Sequence, residues 1–104
     1  METNILSPEA FYGFEMGADR KLARWDKIVE YFWHLSRSPC AKVTEVGKST
    51  MGNPFLVVVI SSPENIRNME KIRETSWRLS HPKGLSADEA EKLIAKGKSV
   101  VSMT

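Results

Sequence analysis

Apolar residues at helical spacing predict one well-defined amphipathic helix in the first third of the chain. When successive residues are turned by about 100° around a helix axis, one arc becomes apolar and the other polar. The apolar arc carries Leu22, Trp25, Ile28, Val29, Phe32, Trp33 and Leu35. The polar arc carries Arg24, Lys27, Glu30, His34 and Arg37. The pattern predicts a helix that starts near Asp19 and is closed by Pro39.

A shorter helix is predicted nearer the start of the chain. Ser7 is a candidate N-cap, and it is followed by a proline and an acidic residue, which suit the first helical turn. The helix is expected to run from Pro8 to about Tyr12, because Gly13 and then Gly17 interrupt the pattern.

Two β-rich segments follow the long helix and predict an antiparallel hairpin. Ala41 to Lys48 reads as a half-polar strand, and Phe55 to Ile60 is a continuous apolar run rich in valine. The segment between them, 47–54, supplies glycine, asparagine and proline for a reversal, with the proline at the start of the second strand. A strand that is apolar on both faces requires covering on both faces, and we expect this chain to lack helices for one face of the second strand.

The remaining residues predict two helices and a third strand. Ser62-Pro63-Glu64 repeats the helix-start pattern, and an apolar stripe leads to a stop at residues 81–84, with Trp77 off the stripe and covering a neighbour. Ser86 and Glu89 form a capping box for the second helix, which Gly97 ends as the C′ residue. Lys98 to Met103 reads as the third strand. The residues alone therefore predict an α/β or α+β protein.

Composition limits the classes of protein to which the chain can belong. Its 104 residues suit one small domain, and 41% hydrophobic residues allow one core. A net charge of +2 is too balanced for a nucleic-acid or anionic-membrane surface. The start shows no signal peptide and no segment reaches bilayer-spanning length, so localisation is cytoplasmic only by default. The single cysteine, Cys40, excludes an intrachain disulfide.

One segment imitates a phosphate-binding loop. Gly47-Lys48-Ser49-Thr50 matches the end of the G-x-x-x-x-G-K-[ST] pattern, but the position of the first glycine is occupied by Lys42. A phosphate loop also joins a strand to a helix, whereas this segment lies between two predicted strands. A hairpin turn is therefore favoured, and nucleotide binding is the minor alternative.

No catalytic, cofactor-binding or metal-binding residue is predicted in this chain. His34 lies four residues after Glu30 on the polar arc, where a solvent-exposed pair is expected. His81 precedes Pro82 at a helix stop, where it can meet the last carbonyl groups. Cys40 is at no helix start that would lower the pKa of a thiol. Trp25 and Trp33 share the apolar arc, so packing is favoured over base stacking.

The order of these segments resembles the amino-terminal part of the carboxypeptidase A-like zinc metallocarboxypeptidases. The resemblance rests on helix 23–32 and on segment 43–61, in which a Gly-basic-Ser turn, a Gly-x-Pro and an apolar strand follow one another. Segment 7–14 and a helical insertion at about 62–97 resemble a bacterial-type branch of that family. The resemblance extends from about Ile5 and implies a fragment of a three-layer α/β fold: amino-terminal helices, a hairpin, a two-helix insertion and a third strand of a mixed sheet.

The family's catalytic residues have no counterpart at any position of this sequence. In the family, the strand corresponding to Lys98–Met103 is followed at once by a His-x-x-Glu segment with two zinc ligands, and the other functional residues come later. The resemblance implies an enzyme in which zinc polarises the scissile carbonyl at a peptide or protein C-terminus and activates water. We expect residues 1–104 to be one partial domain of such an enzyme, inactive alone and binding no zinc.

Two further expectations concern partners. An open sheet edge at the last predicted strand favours self-association, and neither nucleic acid nor a membrane is expected as a partner. The alternative from a different class is a small non-enzymatic α/β module that binds a partner protein through its exposed apolar surface and sheet edge.

Overall fold

A computed structural model describes residues 4–104 of the chain. Residues 1–3 belong to the predicted domain 1–104 but lie outside the described residues. The chain forms two compact units, the first extending to Ile66 and the second running from Arg67 to Thr104. The units are described separately below. Helices and a two-stranded antiparallel sheet are both present, so the general α/β class is confirmed.

The first helix, α1 (Pro8–Tyr12), has the predicted bounds. The Ser7 hydroxyl accepts a hydrogen bond from the Ala10 amide at 3.2 Å, which confirms the predicted N-cap. Gly13 ends the helix with a φ of 82°, and its amide donates to the Glu9 carbonyl at 2.9 Å. The left-handed backbone at this position explains why a glycine follows the helix.

The second helix, α2 (Trp25–Leu35), begins later than predicted. Left-handed backbone at Gly17 (φ 87°) and Arg20 (φ 60°) interrupts a helix near Asp19, so that predicted start is wrong. Leu22 lies outside the helix and is 90% exposed. The half-buried residues of α2 are Ile28, Val29, Tyr31, Phe32, His34 and Leu35. The half-buried surface thus includes Tyr31 and His34, beyond the predicted apolar arc.

The predicted antiparallel hairpin is confirmed. Strands β1 (Ala41–Lys48) and β2 (Pro54–Ile60) pair from Ala41 opposite Ile60 to Lys48 opposite Pro54. The register shifts between Glu45 and Gly47, which leaves Val46 as the extra residue of a β-bulge. Pro54 starts β2 as predicted, where its missing donor costs little.

A short loop joins the strands and depends on one glycine. The Ser49 amide donates to the Asn53 carbonyl at 2.8 Å, and the Gly52 amide donates to the Ser49 carbonyl at 2.9 Å. The Ser49 hydroxyl also accepts from the Asn53 amide at 3.1 Å. Gly52 has a φ of 80°, a conformation that side chains with a Cβ disfavour.

Replacing Gly52 should therefore weaken the hairpin according to the new residue's tolerance of left-handed backbone. We expect Gly52→Ala to lower the free energy of unfolding by about 1 kcal/mol, whereas Gly52→Asn costs less because asparagine enters this region readily. No atom beyond the neighbouring residues lies within 4 Å of the position of an added Cβ at residue 52. The difference in stability between the two variants therefore reports the cost of left-handed backbone and not a steric clash. Urea denaturation of the two variants tests this, and equal losses would contradict it.

One face of the hairpin is covered except at Ile60, which is 71% exposed at the end of β2, and the other face is open. Helix α2 packs against both strands. Side chains alternate between the faces of a strand, and the half-buried ones on one face are Ala41, Val43, Leu56 and Val58. On the other face Phe55 is 57% and Val57 is 44% exposed, while Val59 is half-buried. The open face of β2 agrees, in the described part of the first unit, with the expectation that this strand lacks helices for one of its faces.

The helical region 62–97 contains one more helix than predicted. Residue Asn68 (φ −104°, ψ 19°) separates α3 (Pro63–Arg67) from α4 (Met69–Ser80), where the sequence predicted one continuous helix. The Asn68 side chain makes no cap hydrogen bond, so the break is seen in its backbone conformation. Asn68 occupies the N-cap position of α4 and its carbonyl accepts from the Ile72 amide at 3.1 Å.

Helix α5 (Ala87–Lys96) begins and ends at the predicted residues. The Ser86 hydroxyl accepts from the Glu89 amide at 3.2 Å, which is the N-cap half of the predicted capping box. Gly97 ends the helix with a φ of −63°, outside the left-handed region expected of a C′ glycine. A Cβ at residue 97 would lie 3.3 Å from the Leu93 carbonyl oxygen. The close approach of this oxygen explains why residue 97 is a glycine.

Residues 98–104 form no strand, which corrects the predicted third strand of a mixed sheet. Val100, Val101 and Met103 are 80%, 86% and 91% exposed. A strand needs a neighbour for its backbone hydrogen bonds, and the described second unit contains no other strand. High β-propensity alone is therefore insufficient to form a strand in this segment.

No residue in the described part of the chain is buried. The apolar side chains that face other elements are half-buried, so each unit has packed surfaces without an enclosed core. None of the helices within residues 4–104 combines the length and apolar character needed to cross a bilayer.

Candidate functional site

Five aromatic side chains from α1, the turn after it and α2 come together in the first unit. This aromatic cluster consists of Phe11, Tyr12, Phe14, Tyr31 and His34. The ring centroids of Phe11 and Tyr31 lie 5.1 Å apart, and the Phe11 and His34 rings stack at 5.5 Å with an angle of 28°. These distances lie within the range for favourable ring pairs.

The cluster also binds the main chain of Leu6. The Leu6 amide donates to His34 Nε2 at 2.9 Å, and the Tyr31 hydroxyl donates to the Leu6 carbonyl at 2.9 Å. The predicted exposed pair between His34 and Glu30 is wrong, because Glu30 instead pairs with Lys27 at 3.2 Å. The backbone partner of His34 is 28 residues away in the sequence, so the pattern of apolar and polar residues in α2 could not predict this hydrogen bond.

The phenol of Tyr12 is protonated at neutral pH. Burial among the rings raises the pKa of Tyr12 above its usual value, and the neighbouring Tyr31 raises this pKa further. A neutral Tyr12 phenol is a poor nucleophile and a poor general base. The cluster is therefore suited to packing and hydrogen bonding.

His81 and Trp77 form a separate pair in the second unit. Their rings stack with centroids 4.3 Å apart at an angle of 14°, and His81 Nδ1 lies 2.9 Å from the Trp77 carbonyl oxygen. This confirms that His81 meets one of the last carbonyl groups of its helix, and that Trp77 covers a neighbour. Trp77 is still 55% exposed, and it lines a groove of about 370 Å³ with Arg73, Glu74 and Arg78.

The basic side chains in this groove already have partners. Arg73 binds Glu70, and this hydrogen bond raises the pKa of Arg73 above its usual value. The Arg78 guanidinium donates to the His81 carbonyl at 2.6 Å and to the Lys83 carbonyl at 3.3 Å. These contacts favour a structural role at the end of α4.

The phosphate-loop-like segment is part of the hairpin, as favoured from the sequence. Gly47 and Lys48 are the last residues of β1, and Ser49 and Thr50 begin the loop to β2. Lys48 Nζ lies 3.3 Å from Glu45 Oε1. A strand follows where a phosphate loop requires a helix N-terminus, so the amides needed to surround a phosphate are not presented there.

The described side chains that could bind a metal ion do not lie close together. Within residues 4–104 no three side chains of the types His, Cys, Asp and Glu are placed to hold one metal ion. Cys40 is half-buried, its amide donates to Ser38 Oγ at 3.1 Å, and its carbonyl accepts from the Ser61 amide at 2.9 Å. The zinc implied by the metallocarboxypeptidase resemblance requires two histidines and a glutamate, and the described residues do not fit that set.

The tryptophans of α2 lie at its two ends and remain partly exposed. Trp25 is 41% and Trp33 is 43% exposed. Trp25, Val29 and Pro54 supply apolar surface to a groove of about 400 Å³, and Arg24, Asp26 and Asn53 supply its polar groups. Both tryptophans lie outside the half-buried residues of α2, so the packing role favoured from the sequence stays a prediction.

Comparisons with known proteins were made at the levels of family, sequence and structure. No family model, curated protein or solved structure matches the chain. The open hairpin face, the aromatic cluster and the exposed segment 98–104 are therefore the observations on which a functional interpretation depends.

Proposed function

We propose that residues 5–104 form the amino-terminal, structural portion of a carboxypeptidase A-like zinc metallocarboxypeptidase domain, which hydrolyses C-terminal peptide bonds. The open apolar face of the hairpin carries this proposal, together with the sequence resemblance in segments 23–32 and 43–61. In this proposal zinc and the catalytic residues are supplied by another part of the domain.

The hairpin has the character of an interior part of a larger sheet. Phe55 and Val57 are 57% and 44% exposed, although the sequence of β2 is apolar on both faces. In α/β proteins such strands are covered by helices on both faces. Among the described residues, each strand of the hairpin pairs with one other strand, so both outer edges can accept a further strand.

The segment after α5 supports the same proposal. Residues 98–104 have no secondary structure, and Val100 and Val101 are 80% and 86% exposed. Exposed β-branched residues of this kind are stabilised when a neighbouring strand pairs with them. In a complete sheet the segment would become the third strand that its sequence predicts.

Within this proposal, the side chains of this chain indicate a structural role, and another part of the domain has the catalytic role. Metallopeptidase chemistry requires a metal that activates water and a carboxylate that takes the proton from that water. The two histidines of this chain bind the Leu6 amide and stack on Trp77, respectively. The proposed contribution of residues 5–104 is therefore to position strands, and the proposed substrate is the C-terminus of a peptide or protein.

The coding sequence around these residues tests the proposal directly. We expect the reading frame to continue after Thr104 into a His-x-x-Glu segment, and the longer protein to release C-terminal amino acids in a zinc-dependent manner. Replacement of the first histidine of that motif is the matched control and should abolish activity. A stop codon after Thr104 with a monodisperse product would contradict the proposal and favour a non-enzymatic interaction module.

Zinc titration of residues 1–104 is the complementary measurement. We expect calorimetry to show no one-to-one binding, because the described histidines and carboxylates do not converge. One-to-one binding that is lost in the double variant His34→Ala, His81→Ala would place the metal in this chain and contradict the proposed division.

A further inference from the structure

The hydrogen bond between Leu6 and His34 requires one particular protonation state. The Leu6 amide is the donor, so His34 Nε2 must offer a lone pair at 2.9 Å. The single proton of the neutral ring is then on Nδ1. This tautomer is set by the backbone of residue 6, which lies outside α2.

His34 and Tyr31 hold the same residue from opposite directions. His34 accepts from the Leu6 amide, and the Tyr31 hydroxyl donates to the Leu6 carbonyl at 2.9 Å. The Phe11 ring stacks on His34 with centroids 5.5 Å apart. These contacts attach residues 4–14, the amino-terminal arm, to one side of α2.

We propose that His34 is a proton-sensitive latch that holds the amino-terminal arm when neutral and releases Leu6 when protonated. An imidazolium carries a proton on both nitrogens, so its Nε2 becomes a donor that faces the donor of Leu6. The stacked Phe11 ring tolerates either form, because an aromatic face also attracts a cation. Protonation therefore acts through the Leu6 hydrogen bond.

The carboxylates of α2 and β1 are paired with basic side chains. On α2 itself Glu30 is paired with Lys27 at 3.2 Å. Strand β2 and residues 4–7 have no ionisable side chain. The ionisable side chains of residues 8–48 other than His34 are Glu9, Tyr12, Glu15, Asp19, Arg20, Lys21, Arg24, Asp26, Lys27, Glu30, Tyr31, Arg37, Cys40, Lys42, Glu45 and Lys48. Glu45 is paired with Lys48, which removes the carboxylate of β1 as a free partner for an imidazolium.

The direction of the pH effect follows from the acceptor role. Neutral His34 makes the bond and charged His34 does not. The latch therefore closes when the ring loses its second proton and opens when the ring gains it at lower pH. Opening removes the hydrogen bond that the Leu6 amide makes to α2, while the Phe11 ring remains stacked on His34.

Nuclear magnetic resonance of the full chain tests the proposal at Leu6. We expect the Leu6 amide exchange, corrected for intrinsic rate, to be about tenfold less protected at pH ~5 than at pH ~7.5, the effect of one lost hydrogen bond. The imidazole nitrogen shifts at the higher pH should show the proton on Nδ1. Unchanged Leu6 protection between the two pH values, or a proton on Nε2, would overturn the proposal.

Two variants separate the latch from general acid sensitivity. His34→Gln offers a carbonyl oxygen that does not titrate, so Leu6 protection should become independent of pH in this range. His81→Gln removes the other histidine and should leave the pH dependence of Leu6 unchanged. A pH response that persists in His34→Gln, or disappears in His81→Gln, would show that another group carries it.

Discussion

Val58→Asp should largely unfold the first unit, whereas Val57→Asp should leave it folded. The two valines are neighbours on β2 but lie on opposite faces: Val58 is half-buried on the face that α2 covers, and Val57 is 44% exposed on the open face. A carboxylate at position 58 loses water without gaining a partner, at a cost of about 3 kcal/mol. At position 57 the expected cost is about 1 kcal/mol, from lower β-propensity.

Amide spectra and urea denaturation measure the difference between these variants. The signals of β1 and β2 should disappear in Val58→Asp and persist in Val57→Asp. Sedimentation adds a second readout, because a charge on the open face should reduce self-association of the chain. Equal destabilisation by the two substitutions would show that the two faces of β2 are equally covered, which would remove the main support for the proposed function.

Phe11→Ala should release α1 from α2. The Phe11 ring contacts Tyr12, Tyr31 and His34, at centroid distances of 5.6, 5.1 and 5.5 Å. Loss of this half-buried ring should destabilise the local structure by about 2 kcal/mol. Amide exchange at residue 11, whose N–H donates to the Ser7 carbonyl at 2.9 Å, should then accelerate by about 30-fold.

Phe14→Ala is the matched control for that prediction. Phe14 is also half-buried but contacts only the Tyr12 ring within the described aromatic cluster, at 6.0 Å. Its removal should cost less than about 1 kcal/mol and leave the exchange at residue 11 almost unchanged. A larger effect from Phe14→Ala than from Phe11→Ala would mean that the turn after α1, and not the stack on α2, holds the arm.

The parts of the fold with local chemical causes could be predicted from the sequence. Ser7 and Ser86 cap the helices that they were expected to cap, and the turn residues between β1 and β2 produce the hairpin. Caps and turns depend on residues within a few positions of one another, so a single sequence contains the information.

The features that depend on distant segments could not be predicted. His34 on the polar arc was assigned to Glu30, but it binds Leu6 because α1 and the arm pack against α2. Residues 98–103 have strand composition, but pairing requires a neighbour that their own sequence does not specify. The site of the proposed metallocarboxypeptidase would fall in the same class, since convergence of side chains is a property of the whole sheet.

The bulge at Val46 changes the phase of β1. In a regular strand, residues three positions apart point to opposite faces, but the bulge inserts one residue between Glu45 and Lys48. These two side chains therefore share a face and form their ion pair at 3.3 Å. The alternation of side chains between the two faces is therefore shifted by one residue after Val46. If the alternation before Val46 were simply continued, Gly47 and Lys48 would be assigned to the wrong faces.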